Sequence, residues 1–187
     1  MLLSSAGPLP AEAPRRADAA RLMNELMSGK AEVGGPFELA DPWGRMRSLA
    51  DFRGKLVLLY FGFASCPDVC PTDLAVIGDA LRLLGPQAEA VQPVFVTLDP
   101  ERDTPDVLRE YVAAFHPRFL ALRGSEAQTR QVATSYKVFY EKVPQGKGYA
   151  IDHMAFTFVL DRHGRYLAFL PPGTRADRMA EMVRAAL

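Results

Sequence analysis

The sequence predicts an α/β domain: a central mixed sheet flanked by helices, extended at its N-terminal side by a small β-hairpin. Three observations predict it. Leu56 to Phe63 is an unbroken apolar run bounded by Lys55 and the Ser65-Cys66-Pro67-Asp68 turn, as expected of a strand buried on both faces. The segment after it repeats Leu74, Ile77, Leu81 and Leu84 at helical spacing, and Pro93 to Leu98 is a second apolar run, completing a strand–helix–strand unit. Beyond it, helix and strand patterns alternate to the C-terminus.

A chain of 187 residues, 49% hydrophobic and 24% charged, is long enough for one domain with a sizeable core. Its 22 basic and 22 acidic residues cancel, and no basic stripe stands out, which excludes nucleic acid as an expected partner. No stretch approaches the ~20 apolar residues of a membrane span. Met1 to Arg16 lacks the charged and apolar regions of a signal peptide.

Pro8 to Pro14 is rich in proline and alanine and reads as flexible. Asp18 is placed to cap a short helix bearing Ala19, Leu22, Met23 and Leu26, with Gly29 at its end. Residues 1–33 are therefore expected to form a flexible segment with a short helix, and residues 34–187 the folded domain. Met23 and Met27, at helical spacing beside leucines, read as packing residues. Phe37-Glu38-Leu39 and Met46 to Leu49, parted by Asp41-Pro42-Trp43-Gly44, read as the hairpin, with Trp43 structural or partly exposed.

After the second apolar run, Asp99 to Asp103 is a charged loop at a strand's carboxyl end, where α/β sheets collect ligands. Thr104 and Pro105 cap the next helix, so a supporting role is expected of these charges. That helix is expected to reach Phe115 and to bury Val107, Leu108, Tyr111 and Phe115, leaving His116 on the surface. Phe119 to Leu122 then reads as a strand, Ser125 to Tyr136 as a helix, and Val138 to Val143 as extended. Pro144 to Gly148 reads as a mobile loop. Ala155 to Leu160 and Tyr166 to Leu170 alternate as two antiparallel strands across Arg162-His163-Gly164, a turn that leaves His163 on the surface. A last helix from Thr174 is expected to bury Met179, Met182, Val183 and Ala186.

The chemistry is concentrated in Cys66-Pro67-Asp68-Val69-Cys70-Pro71, which holds the only two cysteines. Both stand at a strand-to-helix junction, beside the positive end of a helix dipole, where thiolate is favoured over thiol. A structural disulfide across so short a loop would remove little unfolded-state entropy, and the polar, proline-flanked setting does not suggest inert core. A functional dithiol is the better reading. Three intervening residues, rather than the two of a usual redox pair, suit a pair that holds a soft metal ion between its sulfurs.

Phe61-Gly62-Phe63 followed by Cys66-Pro67-Asp68-Val69-Cys70-Pro71 resembles the signature of the Sco/SenC proteins, thioredoxin-fold copper chaperones for cytochrome c oxidase assembly. Asp99-Pro100-Glu101-Arg102-Asp103-Thr104-Pro105, Tyr149 and Asp152-His153 follow in the family's order, and Gly34-Gly35-Pro36-Phe37 and Gly54-Lys55 precede it. The resemblance covers about residues 34 to 170 and implies a thioredoxin-like fold. It places His153 beside the dithiol, in the position that a cis-proline occupies in other thioredoxin-like domains. It implies one copper per monomer, as Cu(I), Cu(II) or both, held by Cys66, Cys70 and His153, with Asp152 nearby as a tuning residue. Met154 stands where relatives carry a small hydroxyl residue, adding a soft ligand or an apolar cover.

The function so implied is delivery of copper to the binuclear copper site of cytochrome c oxidase subunit II, or to another cuproprotein. Other copper chaperones and thioredoxin-like reductases are further partners. The alternative is a thiol–disulfide oxidoreductase in which Cys66 attacks and Cys70 resolves. A peroxidase is a weaker third reading, because Ala64-Ser65-Cys66 lacks the expected threonine. The resemblance also implies a membrane tether in the full-length protein, this sequence being a soluble portion or mature form. It further implies a place on the periplasmic side of a bacterial inner membrane, or in the mitochondrial intermembrane space.

Overall fold

The structure, a computed structural model, describes residues 24–26, which are helical, and 32–187. The expectations for Pro8 to Pro14, the Asp18 cap, Met23, Met27 and Gly29 lie outside the described residues. From Val33 the chain runs through β1 (Glu38–Ala40), β2 (Met46–Ser48), β3 (Leu56–Gly62), α1 (Val69–Leu84), β4 (Val91–Thr97), α2 (Pro105–Ala113), β5 (Leu120–Leu122) and α3 (Glu126–Ser135). It ends with β6 (Tyr140–Gln145), β7 (Gly148–His153), β8 (Thr157–Leu160), β9 (Tyr166–Leu170) and α4 (Ala176–Ala186).

Five strands form the central sheet in the order β5-β4-β3-β8-β9. β3 pairs in parallel with β4 and antiparallel with β8, so the sheet is mixed, as the sequence predicts. All seven residues of β3 are buried, and their alternation divides the core in two. Leu56, Leu58 and Tyr60 pack on one side with Leu74, Ile77 and Leu81 of α1, Leu108 and Val112 of α2, and Met179 and Val183 of α4. Val57, Leu59 and Phe61 pack on the other with Val132 and Ala133 of α3 and with Phe37, Leu39 and Phe52. A sheet with helices on both faces, completed by an antiparallel C-terminal hairpin, is thioredoxin-like.

The β1–β2 hairpin forms as predicted. Asp41 holds its turn, accepting from the amides of Trp43 (2.9 Å) and Arg45 (3.0 Å) and from Arg47 Nε (2.9 Å), while Trp43 stays 65% exposed. The predicted Thr104 cap also forms, accepting from the Val107 amide, and Ser125 and Gln128 add a reciprocal capping box that the sequence reading did not name.

Four local expectations are corrected. On α2, Leu108 and Val112 are buried and Tyr111 and Phe115 pack partly buried against the core, whereas Val107 is exposed, lying off the face these residues share. In α4, Ala180 rather than Ala186 joins Met179 and Val183 in the core. His116 is half-buried, its Nδ1 accepting from the Arg118 amide (3.2 Å) to close the turn into β5. Pro144 to Gly148 is the tip of a hairpin: Gln145 pairs with Gly148, and Gly146 turns the chain at a φ of 58°. β7 itself was not foreseen. Among the described residues it pairs only with β6, in a sheet of its own, and Ile151 is its one buried residue, so its sequence carries little of the apolar alternation by which strands are read.

Candidate metal centre

Three elements end at one place. β3 delivers Phe63 and the Ala64–Ser65–Cys66 turn, α1 starts at Val69 with Cys70 in its first turn, and β7 finishes on His153. Cys66, Cys70 and His153, the first and last of them 87 positions apart (153 − 66), come together. Their ligand atoms all lie within 4.8 Å of one another. The Cys70 Sγ–His153 Nε2 distance is 3.3 Å. The sulfurs are not bridged; Cys66 is partly exposed and Cys70 buried.

Burial of Cys70 has a visible cause. Gly62, the last residue of β3, faces α1, and a Cβ there would stand 2.9 Å from Cys70 Sγ. The strand thus has no side chain where the sulfur needs room. The Phe63 amide donates to the same sulfur, and the Phe63 carbonyl accepts from the Cys66 amide (3.2 Å). One residue's backbone thereby touches both cysteines.

The expectation that the helix end would hold these thiols as thiolates fails at Cys70. Burial pushes its thiol well above the ordinary range, and the neighbouring Cys66 adds to the rise, outweighing the Phe63 amide. Cys70 is a neutral thiol until something displaces its proton. Beneath it lies a buried pair that the sequence reading missed: Tyr60 Oη donates to Asp73 Oδ2 (3.1 Å). Burial holds the Asp73 carboxyl above the usual carboxylate range, although Tyr60 and the Gly173 amide both donate to it. The signal was legible, since Asp73 interrupts the apolar stripe of α1 directly before Leu74.

His153 is arranged as a ligand. Its Nδ1 stands 3.2 Å from the Met154 carbonyl, and a carbonyl only accepts, so Nδ1 carries the proton. Nε2 is left as a lone pair facing the sulfurs. Burial keeps the imidazole pKa below its ordinary value, the Met154 carbonyl and Asp152 pulling the other way, so the neutral form prevails at pH 7. The Phe63 ring packs edge-on against the imidazole, with centroids 5.8 Å apart. Asp152 is exposed, and the Met154 carbonyl, not the Asp152 carboxylate, accepts from the ring. Adjacent strand residues point to opposite faces, so Asp152 acts on the imidazole through its charge alone, and the Met154 backbone makes the hydrogen bond.

The Asp99–Asp103 turn supports the centre, as the sequence predicts. Asp103 Oδ2 accepts from the Ala64 amide (3.0 Å) and Thr97 Oγ1 (2.5 Å), fixing the cysteine turn. Asp99 is buried, pairs with Arg102 and accepts from Tyr149 Oη (2.8 Å). Two thiols and one imidazole suit a soft ion in three-coordination; zinc would ask for a fourth ligand.

The SCO1/SenC family model matches residues 25–187. The chain is 46% identical over 162 residues to a SCO2-like protein of Rickettsia prowazekii, covering 85% of this chain and 79% of that one. It is 41% identical over 160 residues to the mitochondrial SCO2 homolog of Homo sapiens, covering 83% and 60% respectively. Among solved structures it resembles copper-bound ScoI of Bradyrhizobium japonicum, with a TM-score of 0.77 and 37% identity over 83% of this chain and 99% of that one. Copper-bound Sco1 from yeast gives a TM-score of 0.75 and 33% identity, covering 83% and 88%. The chain belongs to the SCO1/SenC family.

Proposed function

We propose that this SCO1/SenC-family chain is a copper metallochaperone of cytochrome c oxidase assembly. Its domain, residues 34–187, holds one copper ion on Cys66 Sγ, Cys70 Sγ and His153 Nε2. It passes the ion to the binuclear copper site of oxidase subunit II. The observation that carries this reading is the convergence of three soft or borderline donors within 4.8 Å, one of them a histidine whose free lone pair faces two thiols. The copper-bound relatives from Bradyrhizobium and yeast support the choice of metal. Loading displaces the thiol protons. Unloading proceeds by ligand exchange, the acceptor's thiolates replacing the donors one at a time from the side of the partly exposed Cys66. Other copper chaperones or thioredoxin-like reductases supply the metal or reset the thiols. The working place is the periplasmic side of a bacterial inner membrane or the mitochondrial intermembrane space, with a membrane tether in the full-length protein. Among the described residues, no helix is long and apolar enough to cross a membrane.

One observation favours a second reading: Cys66 is reachable and Cys70 is shielded, the arrangement of an attacking and a resolving thiol. Cys66 thiolate attacks an acceptor disulfide, forming a mixed disulfide and releasing one acceptor thiolate. Cys70 then attacks Cys66 Sγ, releasing the second, and the Cys66–Cys70 disulfide awaits a dithiol reductant.

Copper stoichiometry and affinity of the reduced protein, repeated with His153→Ala, separate the two. The chaperone reading expects one equivalent of copper. It expects a loss of more than about 100-fold in affinity on His153→Ala, since even groups behind a ligand are worth roughly 10–100-fold. Copper binding indifferent to His153 overturns it and leaves the reductase.

A further inference from the structure

His153 ends a strand that belongs to no part of the central sheet: β7 pairs only with β6. The position of the imidazole relative to the sulfurs therefore depends on what ties this hairpin down. Ile151 anchors the strand in the core, and the polar ties converge on Tyr149, four residues before His153. Its hydroxyl has one proton and two acidic neighbours, Asp99 Oδ1 at 2.8 Å and Glu101 Oε2 at 3.2 Å. Its carbonyl accepts from Arg102 Nη1 (2.9 Å), and the same guanidinium lies 3.9 Å from its ring centroid. Across the hairpin, Lys142 Nζ stands 4.9 Å from the ring and reaches Glu101 (3.2 Å) and Glu126 (3.3 Å). The turn that grips Tyr149 also grips the cysteine arm, through Asp103 and the Ala64 amide.

We propose that Tyr149 is a positioning residue for His153. Held by the Asp99–Asp103 turn, it fixes the β6–β7 hairpin so that Nε2 stays within reach of both sulfurs. A single turn thereby sets the distance between the two arms of the centre. The purpose of that distance rests on the copper reading above, but the geometry is a property of the metal-free protein.

The test compares reduced, metal-free wild type with Tyr149→Phe by NMR. The variant keeps the ring beneath Arg102 and loses the hydroxyl. The amides of β7, and of Met154, which donates to the Phe139 carbonyl (3.1 Å), are expected to exchange about tenfold faster, the worth of one hydrogen bond to a charged group. The ring-to-ring Overhauser contact between His153 and Phe63 weakens, while β3 amides exchange as before. In copper titrations Tyr149→Phe lowers affinity about tenfold, and has no effect in a His153→Ala background. Unchanged exchange and ring contact overturn the proposal. So does acceleration that extends equally through β3, or a copper defect that persists in full without His153. Should wild type bind no copper, the function proposed above falls, whereas the positioning role stands or falls on the metal-free measurements alone.

Discussion

Gly62 is where the core and the candidate metal centre share one constraint, and Gly62→Ala tests it. A methyl group there would meet Cys70 Sγ at 2.9 Å, Tyr60 Cε1 at 3.0 Å and Phe95 Cε2 at 3.1 Å. Side-chain carbons essentially never sit as close as the sulfur would, so Cys70 Sγ must shift, and the two rings must each give by a few tenths of an ångström. None has room, because all three residues are fully buried and a close-packed interior does not yield at such a point. Overpacking of this kind costs about 1–3 kcal/mol. The backbone of Gly62 is not in the left-handed region, so alanine also restricts the unfolded chain at no strain, returning roughly 0.4–1 kcal/mol. The net is a destabilisation of about 1–2 kcal/mol, or roughly 2–8 °C in Tm for a domain of this size.

Gly148→Ala supplies the control, since nothing lies within 4 Å of its added methyl. Thermal unfolding of both variants, followed by copper titration, decides the matter. Gly62→Ala is expected to melt earlier and, with Cys70 Sγ displaced from His153 Nε2, to bind copper about tenfold more weakly. A wild-type Tm would refute the packing argument. A lowered Tm with wild-type copper affinity would refute the link between that packing and the centre.

Asp73→Asn tests the buried acid beneath Cys70. Its folded pKa is raised, so the native state holds a proton that the unfolded chain has already lost; stability falls as pH rises from 3.8 through the raised value. Chemical denaturation from pH 4 to 8 is expected to show a weaker decline in the asparagine variant, and an unchanged slope would contradict the assignment. Asp103→Ala leaves the Ala64 amide and the Thr97 hydroxyl without their acceptor, at about 1–3 kcal/mol each. Reduced stability is expected together with faster alkylation of Cys66, whose turn is released; alkylation at the wild-type rate would deny Asp103 its anchoring role.

Legibility in the sequence followed burial. β3, α1, β4 and the C-terminal hairpin were readable because each presents either a continuous apolar run or a helical stripe to the core. β7 was not, because Ile151 is its one fully buried residue and the rest of the strand is held by its turn and by polar and charged contacts. The cysteines were visible as a pair, but their unequal exposure depends on an absent side chain at Gly62, which no local pattern announces. His153 could not be joined to Cys70 by spacing, at 83 positions' separation; only the resemblance to a known family placed it there. Asp152 reaches the imidazole by its charge but not by a hydrogen bond, because the alternation of β7 turns its side chain away.

The unequal burial of the two thiols also bears on which chemistry the centre is built for. A buried neutral thiol beside a neutral imidazole is stable without a ligand, since Cys70 Sγ and His153 Nε2 lie 3.3 Å apart and can share the thiol proton. It is a poor nucleophile in that state, because thiolate is the attacking form. A soft cation reverses the balance: its charge replaces the proton, and burial that penalised a lone thiolate then favours a neutralised metal–thiolate pair. The reductase reading needs Cys70 only after Cys66 has reacted, and asks of the imidazole only that its Nε2 lone pair take the Cys70 proton at that step. The metal reading uses all three groups at once, with the Nε2 lone pair already facing the sulfurs, and that is the stronger reason to prefer it.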